Sequence, residues 1–248
     1  MSMIPMTRNS SLKKAVYNAL EDDTYEARIV RFIGLGVQEQ PEWNGEKKDP
    51  AFKCAIQFEL IGIDATGVDS EGKPLDPRPA CQFKDYFLFP GAKRGGVFDL
   101  CKAIDPTLEK VPNDLNWFLD KVGAPIMVSV SHYVNKEGRK VNKVTGVSGM
   151  SARARNTLPA AATDLVGFDP YKDTPEMGVA YAKMFKFQRD MLTEAHDSKN
   201  MPFAGTEAQK LDGNAPSKPA AQPAAPQSTG TPTAQQQADM PFDDDIPF

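Results

Sequence analysis

The chain has 248 residues with a formal net charge of −4, 40% of them hydrophobic and 25% charged, a length that suits one well-buried domain with appendages or two small domains. No apolar run approaches the roughly 18 residues that span a bilayer, and residues 1–20 lack the basic start and apolar middle of a signal peptide, so a membrane-spanning protein is excluded and the cytosol is expected. The charge imbalance sits at one end: residues 204–248 carry two basic against six acidic side chains, the remainder is balanced, and residues 121–155 hold seven basic side chains against Glu137 alone.

Residues 12–20 predict a short helix with Leu12, Val16, Ala19 and Leu20 on one side, part of an N-terminal flap over residues 1–24. From Tyr25 to Val37 the chain is rich in β-branched and aromatic residues, and Gly34 and Gly36 let a long strand coil. Residues 39–50, with Pro41, Asn44, Gly45 and Pro50, read as an exposed loop that carries Trp43. Residues 52–60 alternate Phe52, Cys54, Ile56, Phe58 and Leu60 with Lys53, Ala55, Gln57 and Glu59, a strand with one core face and one wet face. A loop over 62–78 leads to a third strand over 81–89, with Phe83 and Phe87 assigned to the core and Gln82, Lys84 and Tyr86 to solvent.

Val97, Leu100, Cys101 and Ile104 recur at helical spacing, and a short apolar turn follows over 115–119. Strands resume over 126–134 and 141–149 around a polar turn at 135–138. Three strands, a helix and two strands is the order of the five-stranded OB barrel, so the expected fold is mainly β, a barrel over 25–155 with accessory helices. Residues 156–203 read as an irregular stretch and a docking helix starting at Thr174-Pro175-Glu176 and running to about Ala195, with a stripe of Met177, Ala180, Tyr181, Met184, Phe187 and Met191. Residues 204–238 are rich in Ala, Pro, Gln, Ser, Thr and Gly with almost no large apolar residue, the composition of a disordered linker.

Catalytic material is scarce. Cys54, Cys81 and Cys101 are widely spaced without a CxxC and read as buried thiols, and His132 and His196 are the only histidines. Gly91-Ala92-Lys93-Arg94-Gly95-Gly96 lacks the GxxxxGK[ST] of a phosphate loop and reads as a flexible basic turn. No enzyme, metal or cofactor is therefore expected. Single-strand binding, by contrast, needs cations along a backbone track and aromatic faces for bases. Trp43, Tyr86 and Tyr133 are the candidate rings; Lys53, Lys84, Lys93, Arg94, Arg139, Lys140 and Lys143, extended by Arg153 and Arg155, are the candidate phosphate contacts. Arg28 and Arg31 lie on the first strand, their faces undetermined by pattern.

After the linker, Asp239 to Phe248 restores Phe242, Ile246, Pro247 and Phe248 around Asp243, Asp244 and Asp245, an apolar anchor with steering charge and a terminal carboxylate. The run Asp243 to Phe248 resembles the acidic C-terminal tip of bacterial and phage single-stranded-DNA-binding proteins, which ends in Asp-Asp-Asp-Ile-Pro-Phe or close variants. The resemblance implies an OB barrel that covers single-stranded DNA during replication, recombination and repair. It also implies a tip over 239–248 that docks a polymerase, helicase, nuclease or mediator and competes with DNA for the groove. About 35 linker residues have an r.m.s. reach of roughly 30–35 Å, enough to return across the domain. The long loops, basic final hairpin and following helix depart from the usual bacterial tetramer, and residues 25–150 are more similar to the proteins of tailed bacteriophages, which would act in the bacterial host cytoplasm. Two other activities fit the same features: a recombination mediator or strand-annealing protein, and a replisome adaptor that binds protein without DNA.

Overall fold

The computed structural model describes residues 16–69, 71–136 and 138–207. They are mainly β with short helices. The strands are β1 (Val16–Tyr17), β2 (Asp23–Gln38), β3 (Ala51–Ala65), β4 (Gly67–Val68), β5 (Arg78–Phe87), β6 (Pro125–Val134), β7 (Lys140–Ser148) and β8 (Val166–Phe168). The helices are α1 (Gly96–Ile104), α2 (Leu115–Leu119), α3 (Ala152–Thr157), α4 (Pro175–Ala182) and α5 (Lys186–Glu194). The main sheet runs β5-β3-β2-β6-β7, with β8 added in parallel to β2 beyond the end of β6. Its edges β5 and β7 lie against each other without sharing a ladder, so the sheet stays open along that seam. None of the described helices is long and apolar enough to cross a membrane.

Alternation along β3 does place Cys54, Ile56, Phe58 and Leu60 in one core, with α1, α2 and β6. The opposite face is not wet. Ala55 belongs to a second core, built with Ile33, Leu35, Phe168, Tyr181, Met184, Leu192 and Phe203, and Lys53, Gln57 and Glu59 are buried beside it. The covering layer is the segment after β7. Glu59 accepts hydrogen bonds from the amides of Ala162 (2.7 Å) and Thr163 (2.6 Å), which satisfies a carboxylate that burial would otherwise penalise.

Four expectations change. Residues 16 and 17 form β1, paired to β4, in place of a helix over 12–20; residues 12–15 lie outside the described set. The docking helix is two helices, α4 and α5, broken at residues 183–185. Ala180, Tyr181, Met184 and Met191 of its stripe pack on the sheet, while Phe187 stays 41% exposed. Residues 156–203, read as irregular plus one helix, supply most of the second core, and the first residues of the expected linker join them: Ala204 packs against that core and Tyr181 donates to Thr206 O at 2.8 Å. On β5 the faces are reversed: Tyr86, opposite Cys54, is 1% exposed in the first core, and Phe83, opposite Gln57, is 40% exposed on the outer face. Because β5 meets aromatic residues on both sides, alternation alone could not choose its inner face. Lys84 shares the inner face and extends into the seam, as long amphipathic side chains do.

Gly34 and Gly36 do more than let β2 coil. The register with β3 slips between Gly34 and Val37, and a Cβ on Gly36, at φ +74°, would lie 2.1 Å from Met201 Cε. A Cβ on Gly34 would lie 2.6 Å from Pro170 Cδ. Both glycines thus allow the C-terminal segment to approach the strand.

The three thiols are free, Cys54 and Cys101 buried and Cys81 half-buried. Burial pushes Cys54 well above its ordinary value, raises Cys81, and pushes Cys101 up to about 12. The folded chain therefore keeps protons that the unfolded chain releases near pH 9, so this part of the stability is complete below about pH 9 and declines as pH rises through the folded values. The denaturant midpoint is expected to fall between about pH 9 and pH 10.5, and less so in Cys101→Ser. A midpoint flat across that window contradicts the assignment.

Candidate nucleic-acid interface

The β6–β7 hairpin is closed by Asn135, whose amide donates to Arg139 O and whose side chain accepts from the Arg139 amide, both at 2.9 Å, with Gly138 at φ +73° completing the turn. Arg139 and Lys140 are exposed at this tip, with Lys136 beside them. Register puts Tyr133 opposite Val141 and Lys143 opposite Ser131, so the two share a face, with Lys143 Nζ 6.0 Å from the Tyr133 ring centroid. Ring and ammonium thus stand together at the hairpin, as a base with its phosphate requires.

The seam between β5 and β7 opens, under α1, into a cleft of about 310 Å³. Lys84, Tyr86, Asp99, Lys102 and the backbone of Gly146 and Gly149 line it. Lys84 Nζ lies 5.3 Å from the Tyr86 ring centroid, and Lys102 Nζ donates to Pro106 O at 2.9 Å. Lys93 and Arg94 are exposed on the turn leading into α1, whose first residue, Gly96, also lines the cleft. By register the hairpin tip lies beyond the start of β2 and the Trp43 loop beyond its end. Trp43 and Glu46 exchange backbone hydrogen bonds at 2.9 Å around Asn44 (φ 51°) and Gly45 (φ 81°), a two-residue turn of the Asn-Gly kind, with Lys48 Nζ 5.2 Å from the half-buried indole.

Three candidates are turned to other tasks. Lys53 is 6% exposed and pairs with Asp85 at 2.8 Å, because the C-terminal layer covers its face of β3. Arg155 donates to the carbonyls of Met150 (3.0 Å), Ile104 and Ala103 (both 3.2 Å), tying α3 to the end of α1. Tyr86 belongs to the core and serves as cleft wall rather than exposed stacking face. Arg153 remains exposed on α3. Of the undetermined pair, Arg28 donates to the carbonyls of Gly123, Leu158 and Pro159, and Arg31 to Lys183 O at 2.7 Å. The linker beyond residue 207 and the tip residues Phe242, Asp243, Asp244, Asp245, Ile246, Pro247 and Phe248 lie outside the described residues.

Sequence reasoning missed Lys48 and Lys102, which show their surroundings only in the fold. It also missed an outer-face ring cluster: Phe83 packs edge-on against Phe185 at 5.7 Å, and Phe185 stacks on Phe187 at 5.9 Å with planes 5° apart. The interleaving of basic and aromatic residues from Lys183 to Arg189 was a legible signal for it. No family model matches the chain, and no curated protein matches it either.

Proposed function

We propose that the chain binds single-stranded DNA without sequence preference, covering and protecting it during replication, recombination and repair, while the C-terminal tip recruits partner proteins. The observation that carries this reading is the placement of the basic β6–β7 hairpin and its Tyr133–Lys143 pair on a sheet of OB order. The strand order β5-β3-β2-β6-β7, with α1 between the third and fourth of these strands in the chain, supports reading the open sheet as a five-stranded OB barrel whose closure would run along the β5–β7 seam. The seam cleft then lies beside the basic turn at Lys93 and Arg94, and together they continue the cationic track.

The activity is stoichiometric: cations hold phosphates, rings hold bases, and the covered strand stays unpaired. The Asp-Asp-Asp-Ile-Pro-Phe end supports recruitment of a polymerase, helicase, nuclease or mediator, and its likeness to bacterial and phage tips supports action in the cytoplasm of a bacterial host. A labelled single strand saturated with the chain is expected to resist a single-strand-specific nuclease. Digestion at the unprotected rate contradicts the proposal, and rapid pairing of complementary strands in the same mixture would favour an annealing protein.

A further inference from the structure

We infer that Phe83, Phe185 and Phe187 form a base-stacking platform for an unpaired nucleic-acid strand, built jointly by β5 and the C-terminal helices and separate from the hairpin and the seam cleft. The inference rests on the single-strand-binding reading and deepens it.

The platform stands on one row of the outer face. Register aligns Val166, Arg31, Gln57 and Phe83 across β8, β2, β3 and β5. Over this row lies Phe185, the residue that caps α5, held between the Phe83 ring and the Arg31 guanidinium, which is 4.9 Å from its centroid. Phe187 extends the stack outward. Phe83 and Phe187 are 40% and 41% exposed, so the two outer rings of the three-ring cluster face solvent while the central ring is half-buried.

A patch that only pinned the C-terminal segment to the sheet would be apolar beneath and buried above. This one is the reverse. Arg31 Nε and Gln57 Oε1, in the floor, are buried without a hydrogen-bond partner, an arrangement that costs stability. The rings above are open, and three cations run through the same stretch of chain: Lys183, Lys186 and Arg189. Lys183 pairs with Asp164 at 2.9 Å and Lys186 with Asp190 at 2.6 Å, both exposed pairs that a phosphate can replace, while Arg189 donates to Met184 O. Arg31 thus stands on the Phe185 ring, and three further cations lie in the chain that carries Phe185 and Phe187, against those two carboxylates. Flat rings spaced along a basic segment suit successive bases and their phosphates. A protein partner's apolar side chains would use the exposed area but leave the cations unanswered.

The test uses the full chain and a labelled oligothymidylate. Phe83→Leu and Phe187→Leu keep apolar bulk and remove the π-face, and each is expected to weaken binding at least about fivefold, whereas Phe187→Trp retains it. Ultraviolet cross-linking of a bromodeoxyuridine strand to the unmutated chain is expected to label the peptide holding residues 183–189, a readout that needs no variant to fold. If the unmutated chain binds but both leucine variants bind equally well and cross-links fall only elsewhere, the platform is overturned and the single-strand reading stands. If the unmutated chain does not bind, the reading itself fails, and the platform with it.

Discussion

Reversing Arg139 and Lys140 to glutamate is expected to weaken single-strand binding by about 25-fold or more near 0.1 M salt. Both side chains are exposed at the tip of a hairpin whose turn is held by Asn135 and Gly138 backbone geometry, so the double variant should fold and melt like the unmutated chain. Each phosphate neutralised on a single strand contributes about 0.7 to the slope of log affinity against log salt, which near 0.1 M amounts to about fivefold per contact. Losing two contacts multiplies these factors, and the new carboxylates add repulsion. The salt slope should flatten by about 1.4 in the same variant. Affinity and slope unchanged, measured by anisotropy, would remove the hairpin from the interface.

Phe168→Ala is expected to cost about 3–5 kcal/mol of stability, the range for emptying a fully buried aromatic site. Phe168 has no exposed surface on β8, where it pairs with Ile33 and packs against Tyr181 at 6.0 Å and Phe203 at 6.2 Å. These contacts join the C-terminal segment to the outer face of β2 and β3, so chemical denaturation of the unmutated chain should show one cooperative transition, and the variant one transition at lower denaturant. A separate early transition confined to the variant would mean that residues 158–206 are an independent appendage. That outcome would also weaken the platform, since Phe185 and Phe187 are positioned by the same segment.

What could be seen in the amino-acid order was local. The alternation from Cys54 to Leu60 reports one core face and the spacing of Val97, Leu100 and Cys101 one buried helix face, and the fold keeps both, but it buries the other face of β3 as well. The Thr174 cap is where it was expected, accepting from the Met177 amide at 3.4 Å. Long-range closure was invisible. Lys53 reads as a solvated lysine until β5 brings Asp85 to it on a face of β3 that is buried, and Arg155 reads as part of a basic track until α3 turns it onto the carbonyls of α1. On β5, Phe83 carries more apolar surface than Lys84, yet the open seam admits Lys84 and the C-terminal layer meets Phe83 through Phe185. The candidate site was correspondingly half legible: the exposed cations of the hairpin and the basic turn follow from composition, whereas the cleft and the outer-face ring cluster follow from which elements meet.

The most direct test of the account is an anisotropy titration of a labelled mixed-sequence single strand at about 50 and about 200 mM salt, with the full chain and with a chain ending before Asp239. A track of about five cations predicts that affinity falls roughly hundredfold across that interval. The shortened chain is predicted to bind more tightly at both salts, because it lacks the competing acidic tip. Binding by neither chain would contradict the account and leave a protein-binding adaptor as the reading to pursue.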